Sequence, residues 1–376
     1  MMAPHAGLER RVLSALEATP ARIPVVIGGC GTGRSTLLHA LADRLGRDVC
    51  QYVDVERAAS TPERFLGAVV RSTPFAWGAD PSPASARDAF DQTLAFLARV
   101  RATGDRPAVF LLDEVLELRT FESFPGLRHV LRELLQALAE SGNRFVLTSR
   151  YVARAHRLLR DGMARFEVIH LPALAPAEVS AMLPPMGEAA ADDREFLGQT
   201  VHALADGRAA YVRAIGDATA SMSGRGGDPI SALTALLTTD GALTAWCGYR
   251  YELRLHRARG YGALKAILEI LADEEPLTLT EIAVRLHRTP GSTKDYLSWL
   301  EDVDLVVSRQ KRYSFADPLL RLWVSLHARP VPPSVDEVAR EVQAYAAARL
   351  PHGEPSLAMA AAAGDRKGGW GIIEID

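Results

Sequence analysis

Lysine is nearly missing from this 376-residue chain: the only four are Lys265, Lys294, Lys311 and Lys367, so the first 264 residues carry their positive charge on arginine. Cysteine is almost as scarce. Cys30, Cys50 and Cys247 show no CxxC spacing and no neighbouring histidine pair, which excludes a disulfide scaffold or a structural zinc site and points to a reducing compartment. No apolar run approaches the roughly 20 residues that cross a bilayer, and the opening stretch Met1 to Arg11 lacks the apolar segment of a signal peptide. A cytoplasmic protein with no membrane partner is therefore expected. An excess of one charge is also lacking: 43 basic against 46 acidic side chains give a net charge of -3, so any polyanion must be met by a local patch.

What is present is the composition of a soluble globular protein, 48% hydrophobic and 24% charged. The length exceeds one ordinary core and implies two or three folding units. After a short helix over residues 8–18, Ile23 to Ile27 reads as a strand that breaks at Gly28, and helical spacing resumes at Leu37, Leu38, Leu41 and Leu45. Val49 to Val55 reads as a second strand, followed by helices over Pro62 to Ser72 and Ala84 to Arg101. The continuously apolar stretch from Pro107 to Leu112 has the character of a strand buried on both faces. A helix from Phe124 to Glu140 and strands over Arg144 to Thr148 and Phe166 to His170 complete an alternating α/β pattern, which implies a mostly parallel sheet covered on both sides.

Beyond Pro172 come alanine-rich helices over about 176–220 and a Ser/Gly linker, Ser221 to Asp228. Residues 231–258 read as helical, and 261–327 show helix, helix, turn at Pro290 and Gly291, helix, then two short strands, the order of a winged helix-turn-helix. The expected division is 1–172 as the α/β domain, 173–228 as a helical lid, 229–330 as helices plus winged helix, and 331–376 as an extension with one helix from Val335 and a short apolar stretch, Trp370 to Ile373.

Three motifs carry chemistry. The stretch from Gly28 to Thr36, GGCGTGRST, fits the phosphate-loop pattern, with Arg34 where lysine is expected. Glycines let backbone N–H groups of Gly28, Gly29, Cys30, Gly31, Thr32 and Gly33 converge on phosphate oxygens, the following helix adds its positive end, and the Ser35 hydroxyl reaches Mg²⁺. Second, VFLLDE from Val109 to Glu114 places Asp113 to serve Mg²⁺ and Glu114 beside an attacking water. Third, FVLTSR from Phe145 to Arg150 is a strand that should lie beside the phosphate-loop strand, with its polar tip towards the γ-phosphate, which makes Arg150 a candidate sensor.

Together these motifs resemble the AAA-related archaeal-type and STAND ATPases, over about residues 8–330. The resemblance implies a three-layer P-loop NTPase sheet followed by a helical lid and a winged helix, with ATP or ADP and Mg²⁺ bound by Gly33, Arg34, Ser35, Thr36 and Asp113, and with Glu114 and Arg150 in catalytic roles. The segment FADPLLRLWV, Phe315 to Val324, is similar to the Asp-Pro-x-x-Arg-x-Trp segment that closes the winged helix in archaeal-type members. Two departures stand out. Gly207, Arg208 and Ala209 occupy the place of the lid's Gly-x-Pro, and the planar guanidinium of Arg34 replaces a compact ammonium, so hydrolysis is expected to be weakened.

The winged helix offers Thr293, Lys294 and Ser298 on its second helix and Arg288, Arg309, Lys311 and Arg312 as a local basic patch. Residues 260–330 hold nine basic against ten acidic side chains, which favours neither DNA nor protein as its partner. The leading expectation is an ATP-dependent switch. The alternatives are a hydrolysis-deficient nucleotide-binding scaffold or regulator-like binding module, and an origin-recognition-like DNA loader. Arg128, Arg132, Arg154 and Arg157 are all candidates for an arginine acting on a neighbouring copy.

Overall fold

The computed structural model describes residues 6–78, 81–160, 165–185, 191–222, 228–256 and 260–350. The stretch Trp370 to Ile373 and most of the linker from Ser221 to Asp228 lie outside them. In the first half, helix α1 (Ala6–Glu17) leads to β1 (Ile23–Ile27), α2 (Arg34–Leu45), β2 (Cys50–Asp54), α3 (Val55–Ala58), α4 (Pro62–Arg71) and α5 (Ala86–Arg99). A minimal hairpin, β3 (Arg101–Ala102) and β4 (Arg106–Pro107), precedes β5 (Val109–Asp113), then α6 (Val130–Glu140), β6 (Arg144–Ser149), α7 (Val152–Leu159) and β7 (Phe166–His170).

The five long strands form one parallel sheet in the order β2-β5-β6-β1-β7. The expected neighbour relation holds, since β6 lies beside the loop-bearing strand β1; its other neighbour is the acidic strand β5. Side chains alternate across the pleat. Val26, Leu111, Val146 and Ile169 face the layer that includes Val12 and Leu16 of α1 and Leu38 and Leu41 of α2. Val25, Ile27, Phe110, Leu112, Phe145 and Leu147 face the other layer, where the Phe110 and Phe145 rings stack with centroids 5.6 Å apart. Because both faces are covered, the three central strands β5, β6 and β1 carry apolar runs, over residues 109–112, 145–147 and 23–27.

One boundary differs from the sequence expectation. The helix expected from Phe124 begins at Val130, and Val115–Ser123 instead forms a 3₁₀ helix. Pro125 cannot donate a backbone hydrogen bond, and Gly126 adopts φ +81°, so the chain cannot continue as one α-helix through this point.

The second half is helical: α8 (Pro176–Met182), α9 (Ala191–Ala205), α10 (Ala209–Met222), α11 (Pro229–Leu237), α12 (Ala242–His256) and α13 (Tyr261–Asp273). Then follow β8 (Leu277–Thr278), α14 (Leu279–Arg285), α15 (Pro290–Asp302), β9 (Val306–Arg309), β10 (Arg312–Phe315), α16 (Pro318–His327) and α17 (Val335–Arg349). The antiparallel sheet β8-β10-β9 packed with α13, α14 and α15 has the winged-helix order. On α15 the expectation for Thr293 is corrected: it is fully buried, on the same helix face as Leu297 and Leu300, and its hydroxyl donates to the Thr289 carbonyl. Lys294 and Ser298 are exposed as expected. Trp323 is buried and packs against Tyr251, while Trp299 is only half-buried.

Candidate functional site

The phosphate loop is the turn from β1 into α2. Gly31 and Gly33 take φ +80° and +102°, a region costly for any residue with a Cβ, and at Gly31 an added Cβ would also press to 3.3 Å from Ala210. The start of α2 has no side-chain cap, unlike α4 and α5, whose first turns are served by Thr61 and Ser85. Its leading N–H groups and the positive end of the helix are thus available to an anion. The Ser35 and Thr36 side chains are exposed at this start.

These groups line a cleft of about 400 Å³ between the sheet and the helical region. Asp113 and Glu114 close one side, and Arg213 of α10 with Trp246 and Arg250 of α12 close the other. Asp113 accepts hydrogen bonds from the Tyr52 hydroxyl (2.9 Å) and the Thr148 hydroxyl. Burial and the adjacent Asp113 carboxylate push the Tyr52 phenol well above its ordinary range, so it remains a donor. Ser35 and Asp113 together present the hard oxygen ligands that suit Mg²⁺.

Arg34 does not project into solvent. It is 6% exposed, and its Nη1 donates to the Gly28 and Gly29 carbonyls within the loop, while Nη2 lies 2.6 Å from Glu114 Oε1. The second oxygen of Glu114 accepts from the Arg150 backbone N–H at 2.9 Å and stands 3.2 Å from Arg150 Nε. Although burial works to raise its pKa, the guanidinium groups of Arg34 and Arg150 outweigh that and hold Glu114 at about 2. Its backbone is also constrained: φ +58°, ψ 46°, with the N–H donating to Thr148 Oγ1. Left-handed backbone at a non-glycine residue costs on the order of 1 kcal/mol, and such strain clusters at functional sites.

Arg150 is fully buried. Besides Glu114 it pairs with Glu56 and, at 3.2 Å, with Glu117, which also accepts from the Tyr151 hydroxyl at 2.7 Å. The arginine singled out as a γ-phosphate sensor thus sits behind Glu114, within an acidic cluster. Sequence reasoning missed Glu56 and Glu117, which lie 94 and 33 residues from Arg150 and carry no local motif.

A second arginine walls the loop from the other side. Arg208, 8% exposed, donates through Nη1 to the Cys30 carbonyl (2.8 Å) and through Nη2 to the Ala316 carbonyl (2.6 Å), with Asp317 3.5 Å from Nη1. Asp317 in turn accepts from Tyr211 and caps α16. The lid departure at Gly207 to Ala209 therefore supplies a direct tie from the phosphate loop to the Asp-Pro segment. Cys30 is buried and its Sγ lies 3.0 Å from Arg250 Nη1. In the wing, Arg309, Lys311 and Arg312 are all exposed; Arg312 also donates to the Pro276 carbonyl and stands 3.7 Å from Glu281.

No protein-family model and no curated protein sequence matches the chain. Solved structures do. The Walker-type ATPase PABY2304 of Pyrococcus abyssi aligns with a TM-score of 0.61 at 17% identity, covering 86% of this chain and 96% of its own. The Orc1 protein of Aeropyrum pernix, solved in complex with DNA, aligns with a TM-score of 0.50 at 17% identity, covering 90% and 94%. The chain has the fold of the AAA-related, archaeal-type P-loop ATPases, from the five-stranded sheet through the helical region beyond it.

Proposed function

We propose that the chain is a nucleotide-binding switch: the loop from Gly28 to Thr36 holds ATP or ADP, Ser35 and Asp113 hold Mg²⁺, and hydrolysis is slow. The observation that carries this reading is the buried pair of Arg34 and Glu114 at 2.6 Å inside the loop. ATP supplies phosphate oxygens that compete with Glu114 for the guanidinium of Arg34, since arginine pairs with phosphate and carboxylate alike. Glu114 is the group assigned to orient the attacking water, but both of its oxygens are already engaged by arginine. As a carboxylate held at about 2, it is a poor proton acceptor. Arg150 acts through Glu114, whose position it fixes.

Residues 1–172 serve as the nucleotide domain, 173–228 as its lid and 229–330 as the output region, which meets DNA or protein through the exposed side of α15. The DNA complex of the similar Orc1 protein supports DNA as one such partner. Saturation of Glu114 also favours a scaffold that holds nucleotide without turning it over. Titration of ATP and ADP into nucleotide-stripped protein tests the binding claim, and absence of saturable binding removes it. Single-turnover phosphate release then separates switch from scaffold: release that is lost on Glu114→Gln identifies a slow ATPase, and no release from either protein identifies a scaffold.

A further inference from the structure

A second cavity among the described residues is larger than the nucleotide cleft. A groove of about 920 Å³ runs between α6 and α7 of the sheet domain and the C-terminal end of α15. Four arginines line it, Arg119, Arg132, Arg154 and Arg157, against two carboxylates, Glu122 and Asp302. That is a local excess of positive charge on a chain whose net charge is -3. Arg157 is engaged by Asp302, and Arg119 lies over the Trp299 ring with its guanidinium carbon 5.3 Å from the centroid. Arg132 and Arg154 complete the basic lining. The half-buried indole of Trp299 lies in the same groove, and a base would stack on it by taking the place of the Arg119 guanidinium.

We infer that this groove binds a single strand of nucleic acid. Guanidinium groups along a trough recognise a phosphodiester backbone, and an indole beside them takes an unstacked base, the pairing by which single strands are held without sequence preference. A duplex keeps its bases stacked and hidden from Trp299, so it offers the groove phosphates only. The wing, with Arg309, Lys311 and Arg312 exposed, is the competing surface, and among the described residues it has no aromatic ring on the strand face that carries Arg309 and Arg312 to take a base. The inference is independent of the nucleotide reading and is tested without nucleotide.

The test is fluorescence anisotropy of a labelled 12-nucleotide single strand and of the matching duplex, at 50 and 200 mM salt, with the full chain. The expected result is tighter binding of the single strand, and at least a tenfold loss in the double variant Arg132→Glu, Arg154→Glu. Loss of two phosphate contacts should also flatten the log–log salt dependence by about 1.4. Arg309→Glu with Lys311→Glu, on the wing, should change single-strand affinity less than twofold. Trp299→Phe keeps an aromatic surface and should keep most of the binding while losing the quench of tryptophan emission on strand addition. Far-UV circular dichroism melts confirm that each variant is folded. The inference fails if the single strand does not bind at 50 mM salt, if the duplex binds as tightly as the strand, or if the folded groove variant binds like the wild type.

Discussion

Replacing Glu114 by glutamine should tighten ATP binding while making the nucleotide-free protein less stable. Arg34 has this one carboxylate as its ion-pair partner among the described residues, whereas Arg150 keeps Glu56 and Glu117 when Glu114 is neutralised. Both members of the Arg34 and Glu114 pair are under one-tenth exposed, so water screens them little. Close charge pairs of this kind couple by about 1.5 kcal/mol or more. In the wild type, part of the phosphate interaction is spent on parting the pair. In the glutamine variant that cost is largely gone, and about 1.4 kcal/mol corresponds to a tenfold gain in affinity. The same substitution leaves a buried guanidinium short of a counter-ion, which should lower nucleotide-free stability by roughly 1–3 kcal/mol. Calorimetric titration of ATP and urea unfolding with and without ATP measure both quantities on the same preparations. Equal or weaker ATP binding by a folded Glu114→Gln protein would refute the competition between carboxylate and phosphate.

Arg34→Lys should speed phosphate release several-fold in single-turnover experiments, because an ammonium cannot reach the loop carbonyls and Glu114 together as the guanidinium fork does; unchanged or slower release would show that the arginine does not restrain turnover. Acid should destabilise the fold through Glu114. Its folded pKa of about 2 lies below the ordinary 4.5, so the stability it contributes is present above pH 4.5 and lost as pH falls towards 2, by about 3 kcal/mol at most. Urea melts at pH 7 and pH 3 should therefore differ less in Glu114→Gln than in the wild type. Arg208→Met removes donors from the Cys30 and Ala316 carbonyls and takes its cation from the buried Asp317 carboxylate, which keeps its bonds from Tyr211 and the start of α16, for an expected loss of about 2–4 kcal/mol in chemical unfolding. A change below 0.5 kcal/mol would mean that the tie carries no load.

The sheet and the phosphate loop were readable from the chain because their signals are local. A β-branched run, a glycine turn and a helical spacing sit within about 20 residues of one another, and the position of β6 beside β1 follows from the shared topology of such sheets. The failures have an equally physical cause. Glu114 is held by Arg34, 80 residues before it, and no periodicity or motif announces a pair at that separation. Thr293 reads as outward because it is polar, although it lies four and seven residues before Leu297 and Leu300 and shares their buried face. Arg208 was visible only as a departure from Gly-x-Pro. That the departure places a guanidinium against the Cys30 carbonyl required the folded chain.

The Arg208 tie bears on how the protein is made. Its two carbonyl acceptors lie 178 residues before it and 108 residues after it in sequence. During synthesis the five strands of the sheet can pair as soon as Phe166–His170 has emerged, yet one wall of the phosphate loop is still missing. Arg208 arrives later, and its anchor at Ala316 and Asp317 later still. A chain that docks nucleotide with full affinity only after this tie closes would keep its emerging N-terminal half from behaving as a finished nucleotide site, and would make loop completion a late report that the whole chain has folded.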